Sequence, residues 1–538
     1  MTPDREHFDF IIVGAGSAGC VLANRLTACG RHQVLLIEAG GKDNNPWIHI
    51  PLGYGKLFTN PTVNWLYKTV PQAALDGREI SQPRGKVLGG SSSINGLVYI
   101  RGQHEDFDHW RQLGNIGWSA DDVLPYFRRA ECQQRGSDSW HGTDGPQHVS
   151  DQSEPHPLCD AFIAAAAAVG HPVNPDFNGA TQEGAGYYQT TSHRGRRIST
   201  AVAYLKPARN RPNLTVMTDL HVTRILFSGK RATGVEWRRG GTTGQSFANC
   251  EVILASGAIG SPQLLELSGV GQAERLRDLG IDIVHDLPGV GEHFQDHLQV
   301  RSVYRARRAI TFNDDMMSPW RQMKIGLRYL LQRKGPLTVS AGYAGGFFKT
   351  QQRLATPDIQ VHFITFSTTK MGDTLHRFSG FTASSCQLRP ESRGSTHIIS
   401  ADPFVAPAID PNYLATPGDV AANIAGVRLL RSISQQGPLA GEIVEEIEPG
   451  PNAQNDAAIL AHIRATGSSI YHPSCSARMG TDGLAVVDPR LRVHGLSGLR
   501  VVDGSVMPAV VAGNTNAAII MIAEKAADMI LEDNGVHR

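Results

Sequence analysis

The apolar run Phe8-Asp-Phe-Ile-Ile-Val13 ends directly in Gly14-Ala-Gly16-Ser-Ala-Gly19, and that junction limits what the chain can become. A short, nearly continuous apolar run reads as a parallel strand buried on both faces. After it, Ala18, Val21, Leu22, Arg25, Leu26 and Cys29 recur at helical spacing. Gly30 stops the helix, Gln33–Ile37 is a second strand, and Glu38 stands at its end. This β–turn–α–β unit is a dinucleotide-binding fingerprint. The first glycine makes the turn, the second lets backbone approach a pyrophosphate, and the third lets helix and strand pack closely. The helix N-terminus offers unpaired N–H groups and partial positive charge to phosphates. Glu38, 24 residues after Gly14, is placed to accept hydrogen bonds from ribose hydroxyls. Its carboxylate disfavours a 2′-phosphate and does not separate NAD from FAD.

The chain has 538 residues, too many for one ordinary core. At about 150 residues per domain it predicts three to four units, and two larger interleaved domains fit as well. With 41% hydrophobic and 19% charged residues it is a well-buried chain rather than a disordered one. A net charge of +1, with no long basic run, argues against nucleic-acid binding. The seven cysteines form no C-x-x-C pair, so neither a disulfide framework nor structural zinc is expected and a reducing compartment is the default. The first residues, including Asp4, Arg5 and Glu6, lead at once into a strand and lack the pattern of a signal peptide. No 18-residue apolar run exists; Ala161–Gly170 is the nearest. The expectation is a cytoplasmic protein, with peripheral membrane contact left open.

Texture changes along the chain. Residues near 155–215 and 300–465 are richer in turns and short alternating strands such as Ile359–Ile364. Leu214 to about Leu298 looks α/β again. The C-terminal segment returns to a strand, Leu499–Val502, and a helix from about Asn516 to Leu531.

The run Pro83-Arg-Gly-Lys-Val-Leu-Gly-Gly-Ser-Ser-Ser-Ile-Asn-Gly-Leu-Val-Tyr-Ile-Arg-Gly102 separates the cofactors. Its glycines and serines let main chain lie against a flat ligand. Residues Gly85–Asp108 resemble the first signature of the glucose–methanol–choline oxidoreductases, and Gly257–Gly271 the second. Asp286–His297, Tyr471–Gly480 and Val502–Pro508 are similar to further family segments, so the resemblance covers nearly the whole chain in order. It looks most like bacterial dehydrogenases of choline, sorbose or polyethylene glycol. The fold implied is α/β plus α+β: a Rossmann-like FAD-binding domain from 1–155, 215–305 and 465–538, interleaved with a substrate-binding domain on an antiparallel sheet from 156–214 and 306–464.

The resemblance also implies roles. Gly14, Gly16, Ser17, Gly19 and Glu38 hold the ADP half of FAD, and the backbone of Val222 meets adenine. Gly90, Ser91, Asn95, Gly96, Leu97 and Val98 lie along the pyrophosphate and isoalloxazine. Asp503, Asn514, Thr515 and Asn516 approach the flavin, and the helix beginning near Asn516 points its positive end at it. Some members attach flavin through a histidine preceding the residue that matches Asn95; here that position is Ile94, so FAD is expected to be non-covalent.

His472 is the expected base. Oxidising an alcohol removes a hydride and a hydroxyl proton, and an imidazole suits the proton step. Asn514 matches the second catalytic position and can orient or polarise the substrate oxygen. His293 and His297 stand at i, i+4, a metal-like spacing, yet in a turn-rich family segment, so no metal is expected. Tyr471 reads as a cavity wall, Cys475 as packing, and Arg389 and Arg393 as turn stabilisers. The expected partners are a small alcohol and an electron acceptor: a quinone, another carrier or O2. An O2-using oxidase, a redox-silent hydroxynitrile lyase or photodecarboxylase on the same fold, and an NAD-linked enzyme are the alternatives.

Overall fold

The computed structural model describes residues 7–370 and 372–535; Asp4, Arg5 and Glu6 lie outside the described residues. In chain order the framing elements are β1 (His7–Val13), α1 (Ser17–Thr27), β2 (Val34–Ile37), α2 (Pro157–Ala168), β3 (Gly184–Tyr187), β4 (Leu214–Met217), β5 (His221–Ser228), β6 (Arg231–Arg239), β7 (Thr242–Leu254) and α3 (Gly257–Leu267). Then come β8 (Leu298–Ala306), α4 (Pro319–Gln332), β9 (Ala344–Phe348), β10 (Ile359–Ile364), β11 (Gly380–Gln387), α5 (Pro417–Ser434), β12 (Ile443–Glu448), β13 (Ser468–Ser469), β14 (Leu499–Val501) and α6 (Asn516–Asp533).

The first sheet runs β4–β2–β1–β7–β6–β5, with β14 beside β7. Strands β4, β2, β1, β7 and β14 are parallel, and Ile12 pairs with both Leu36 and Ile253. Residues Phe10–Val13 and Val34–Ile37 are all buried, which is why both strands read as unbroken apolar runs. Helix α1 packs against α6, bringing the two ends of the chain together. The segment after Leu214 is only partly α/β, because β5, β6 and β7 form an antiparallel meander.

The second sheet, β12–β8–β11–β10–β9–β3, is antiparallel throughout, with β13 on β8. Strand alternation divides its faces. Val361, Phe363, Phe381 and Ala383 pack under Leu158, Phe162, Leu430 and Ile433 of α2 and α5. The alternate residues His362, Ile364, Thr382 and Ser384 face a cavity, as do Gln299 and Arg301 of β8.

Three expected boundaries move. Strand β8 pairs Val300 with Ser385, so residues 298–305 belong to the second sheet and not to the first domain. Ser468 and Ser469 pair with Gln299 and Leu298, which draws the start of the C-terminal segment into that sheet as well. Conversely, Ala201, Ala203–Leu205 and Ala208 pack into the core around β1 and α1, although 156–214 was expected in the substrate domain. Tertiary burial outweighs local texture at these junctions.

Candidate active site

A cleft opens where β1 ends. It is lined by Gly14, Gly16, Ser17, Glu38, Gly90, Ser91, Val222, Asp503 and Thr515. Gly14 has φ +102°, and a Cβ there would lie 2.5 Å from the Ala255 carbonyl oxygen, so only glycine fits the turn. A Cβ on Gly19 would fall 1.9 Å from the Gly14 carbonyl oxygen, which is the close helix–strand packing expected of the third glycine. Gly16, by contrast, faces open space: an added Cβ would meet nothing nearer than 3.9 Å.

Two helix N-termini converge here. Ser17, the first residue of α1, donates its hydroxyl to Asn516 Oδ1, on the first residue of α6, at 2.7 Å. Neither helix has a side-chain N-cap, so the first-turn N–H groups remain available to an anion. Glu38 is 6% exposed; its carboxylate accepts from Ala15 N and Gly40 N, each at 2.9 Å. Burial pushes its carboxyl up to about 7, against the pull of those two donors. One lone-pair direction on each oxygen is left for ribose hydroxyls. These features fit FAD: an open glycine floor, two uncapped helix ends and a buried carboxylate.

Asp503 lines the cleft, but its carboxylate is taken up by Gly257 N, Ser261 Oγ, Ser505 N and Ser505 Oγ. It ties α3 to the C-terminal segment. Ile94 is buried with Ile48, Leu57, Val63 and Val87 and offers no atom for a covalent flavin link.

A second cavity shares Ser17, Arg84, Ser91, Thr515 and Ile519 with the cleft and continues it towards the antiparallel sheet. Asn95, Gly96, Leu97 and Val98 line it with His472, Asn514 and Asn516. The loop 92–97 is held by Arg197, which is 1% exposed. Its guanidinium donates to Ser92 O, Asn95 O, Asn95 Oδ1 and Ile48 O. Desolvation holds Arg197 down at about 9.

His472 is 7% exposed. Its Nδ1 lies 3.0 Å from His297 Nδ1, and its Nε2 lies 3.1 Å from Asn514 Nδ2. His297 Nε2 lies 2.9 Å from the Leu388 carbonyl oxygen. One assignment of protons satisfies the whole chain. His297 Nε2–H donates to Leu388 O, His472 Nδ1–H donates to His297 Nδ1, and Asn514 Nδ2–H donates to His472 Nε2. Asn514 Oδ1 in turn accepts from Gln360 Nε2 at 3.1 Å. His472 therefore keeps its lone pair at Nε2, where the cavity-lining amide of Asn514 donates to it. Its pKa is held well below the ordinary value by burial first, then by His297, His362 and Arg84.

Asp296 positions both imidazoles. Its Oδ1 accepts from His472 N and His297 N, and its Oδ2 accepts from Ser469 Oγ, Gln82 Nε2 and Tyr413 OH. The spacing of His293 and His297 belongs to no helix: His293 has φ +60° and precedes the isolated bridges and strand that carry His297 inward. Among the described residues no cluster of His, Cys, Asp and Glu could hold a metal.

A third imidazole, His362, is 5% exposed in the same cavity and stacks on Tyr188 at 5.4 Å. Burial brings it down to about 4. Sequence reading missed His362, Gln360, Arg197 and the roles of His297 and Asp296. The only available signals were the strand alternation of Ile359–Ile364 and the family segment ending at His297.

The lesser expectations divide. Tyr471 lines the cavity against Phe58, at a centroid distance of 5.2 Å. Cys475 is buried, its thiol pushed up to about 12 by desolvation. Arg393 bonds the carbonyls of Pro390, Glu391 and Ser392, a turn. Arg389 does not serve its own turn; it reaches Asp106, Gln103 and Thr356.

Comparison with known proteins identifies the family. The N-terminal and C-terminal GMC oxidoreductase family profiles match residues 8–299 and 390–523. The chain is 44% identical to an alcohol dehydrogenase (acceptor) of Pseudomonas putida, covering 97% of this chain and 96% of that one. It is also 44% identical to mitochondrial choline dehydrogenase of Mus musculus, over 99% of this chain and 91% of that one. Among solved structures, pyridoxine 4-oxidase from Mesorbium loti superposes with a TM-score of 0.88 at 31% identity, covering 98% of this chain and 100% of that one. Formate oxidase from Aspergillus oryzae superposes with a TM-score of 0.93 at 27% identity, covering all of both chains. The chain belongs to the GMC oxidoreductase family.

Proposed function

We propose that this protein catalyses the FAD-dependent oxidation of an alcohol to an aldehyde or ketone, with His472 as the base and Asn514 as its partner. When bound, FAD supplies a two-electron acceptor for the hydride that leaves the carbinol carbon. The protein's own groups handle the oxygen and its proton. An alcohol hydroxyl entering beside His472 takes the place of Asn514 Nδ2–H at His472 Nε2, donates its proton to the imidazole there and accepts a hydrogen bond from the displaced amide. As His472 gains the proton, its Nδ1–H remains bonded to His297, so the ring keeps its orientation. Asp296 fixes the backbone of both histidines, and Gln360 fixes the amide of Asn514. Arg197 holds the Asn95 loop that would lie along the isoalloxazine of bound FAD.

The observation that carries this reading is the hydrogen-bonded chain Leu388 O–His297–His472–Asn514, whose last two residues line the second cavity. A low pKa keeps His472 neutral and able to accept a proton at neutral pH. The relatives' names support an alcohol substrate and an electron acceptor; a quinone, another carrier and O2 are the candidates for the acceptor. The test is anaerobic: a panel of alcohols added to the FAD-loaded enzyme should bleach the flavin absorbance and release the carbonyl product. Absence of bleaching by every alcohol, with FAD bound, would count against the assignment. Reoxidation by a quinone analogue or by O2 then identifies the acceptor class.

A further inference from the structure

The charge of the substrate cavity is one-sided. Two guanidiniums, Arg301 and Arg84, line it beside the neutral imidazoles of His362 and His472, and no carboxylate does. Arg84 is already engaged: its guanidinium donates to the carbonyls of Pro83 and Tyr471. Arg301 is not. Among the described residues its guanidinium makes no hydrogen bond and no ion pair. It projects from β8 on the same face as Gln299 and opposite Ser384, with which it pairs across the sheet. The opposite face of β8 packs Leu298 and Val300 into the helical layer, so strand alternation commits Arg301 to the cavity. Its field reaches Tyr471, which walls the same space with Phe58. A half-buried guanidinium without an anion is an incomplete pair, and a planar fork of donors matches a carboxylate.

We propose that Arg301 is the carboxylate-binding subsite of this cavity, and that the preferred substrate is an alcohol carrying a carboxylate some carbons from its hydroxyl. This rests on the alcohol-oxidising reading of His472 and Asn514. The carboxylate is a handle, not a reactant: the hydroxyl end sits at His472 and the anionic end at Arg301. The cavity's cationic lining should correspondingly repel quaternary ammonium alcohols.

The test compares ω-hydroxycarboxylates, n-alcohols of equal length and choline in anaerobic flavin reduction. The hydroxy acid should show the highest kcat/KM and choline the lowest. Arg301→Gln should lower kcat/KM for the hydroxy acid by roughly ten- to a hundredfold, the size of a charge-assisted hydrogen bond, and leave the n-alcohol within about twofold. Arg301→Lys should recover part of the loss. A simple n-alkanoate, with no hydroxyl to oxidise, should perturb the flavin absorbance of wild type on binding and fail to do so in Arg301→Gln. If n-alcohols exceed hydroxy acids, or Arg301→Gln affects both equally, the subsite is wrong while the oxidation stands. If no alcohol is oxidised, the underlying reading fails instead.

A separate observation concerns the surface. Helix α4 buries only Tyr329 and exposes a continuous apolar stripe: Trp320 (70%), Met323 (55%), Leu327 (55%), Leu330 (68%) and Leu331 (74%). Arg321, Lys324 and Arg328 flank it, with Arg333 and Lys334 just beyond; the hairpin tip bearing Arg194 and Arg196 packs at its end, where Tyr329 OH donates to Gly195 O. Among the described residues only Asp315 and Glu154 answer these charges, paired with Arg321 and Arg328. A helix that is apolar on one flank and basic on the other suits an anionic bilayer surface. A symmetric contact between two copies would instead set like charges face to face. We infer that α4 docks the protein on anionic membranes. Among the described residues no helix is long and apolar enough to cross a membrane. The protein should co-sediment with vesicles containing about 30% phosphatidylserine but not with pure phosphatidylcholine vesicles. The Trp320→Ser/Leu331→Ser variant should stay in the supernatant with its flavin intact. No sedimentation with anionic vesicles, or a dimer in solution that this variant dissolves, would overturn the docking assignment.

Discussion

The two cavities that meet at Ser17 and Ser91 are built differently. The dinucleotide cleft is made largely of backbone: glycines at turns, two uncapped helix ends and one buried carboxylate. The substrate cavity is made of side chains delivered by β8, β10, β11 and the C-terminal segment, residues far apart in sequence. Backbone recognition needs a local pattern, since the turn and the helix following it are a few residues long. Side-chain chemistry needs register, since His362 reaches the cavity only because β10 pairs His362 with Ser384. The first cavity should therefore govern cofactor retention and the second the reaction, and mutations can separate them.

The sharpest separation is expected at His472. His472→Ala should slow flavin reduction by alcohol about 10²–10⁴-fold, the usual size of general-base assistance, and leave FAD content unchanged. Next in size is the opposite variant. Glu38→Ala removes the acceptor for ribose hydroxyls and should weaken FAD retention roughly ten- to a hundredfold, as loss of a hydrogen bond to a charged group of about 1.5–3 kcal/mol implies. Turnover per bound flavin, measured by absorbance-normalised assay, should stay near wild type. If Glu38→Ala instead slowed the normalised reaction, the two cavities would not be separable. The smallest effect belongs to Asn514→Ala. A lost neutral hydrogen bond costs about 0.5–1.5 kcal/mol, so reduction should slow only some two- to tenfold. An effect larger than that of His472→Ala would transfer the proton step away from the histidine.

The same contrast explains what could be read without coordinates. The β–turn–α–β unit was legible because β1 and β2 are buried on both faces, Gly14 and Gly19 meet two distinct steric demands, and Gly16 leaves the floor of the cleft open. His472 and Asn514 were legible only through family resemblance; no spacing rule links residues 42 apart. His297 was visible only as one half of an apparent metal pair, set aside because its segment is turn-rich; its place beside His472 could not be read, because i, i+4 means proximity only on a helix. Arg197 and Asp296 could not be found by pattern: each is a lone charged residue whose role comes from the carbonyls, amides and hydroxyls that folding gathers around it. The expected end of the first domain at 305 fell inside β8 because a strand at the junction looks the same whichever sheet it joins.

The central claim is that a neutral His472, held by His297 and with its lone pair at Nε2, takes the hydroxyl proton. The pH dependence of anaerobic flavin reduction by a single alcohol tests it most directly. Burial and neighbouring positive charge depress the His472 pKa, so its base form is present above that depressed value and is lost as pH falls through it. The observed rate constant should be level from neutral to alkaline pH and fall along one acid limb lying below the ordinary histidine range of about 6.5. His472→Ala should abolish that limb. A rate that still climbs between pH 7 and 9, or an acid limb that survives in His472→Ala, would contradict the assignment.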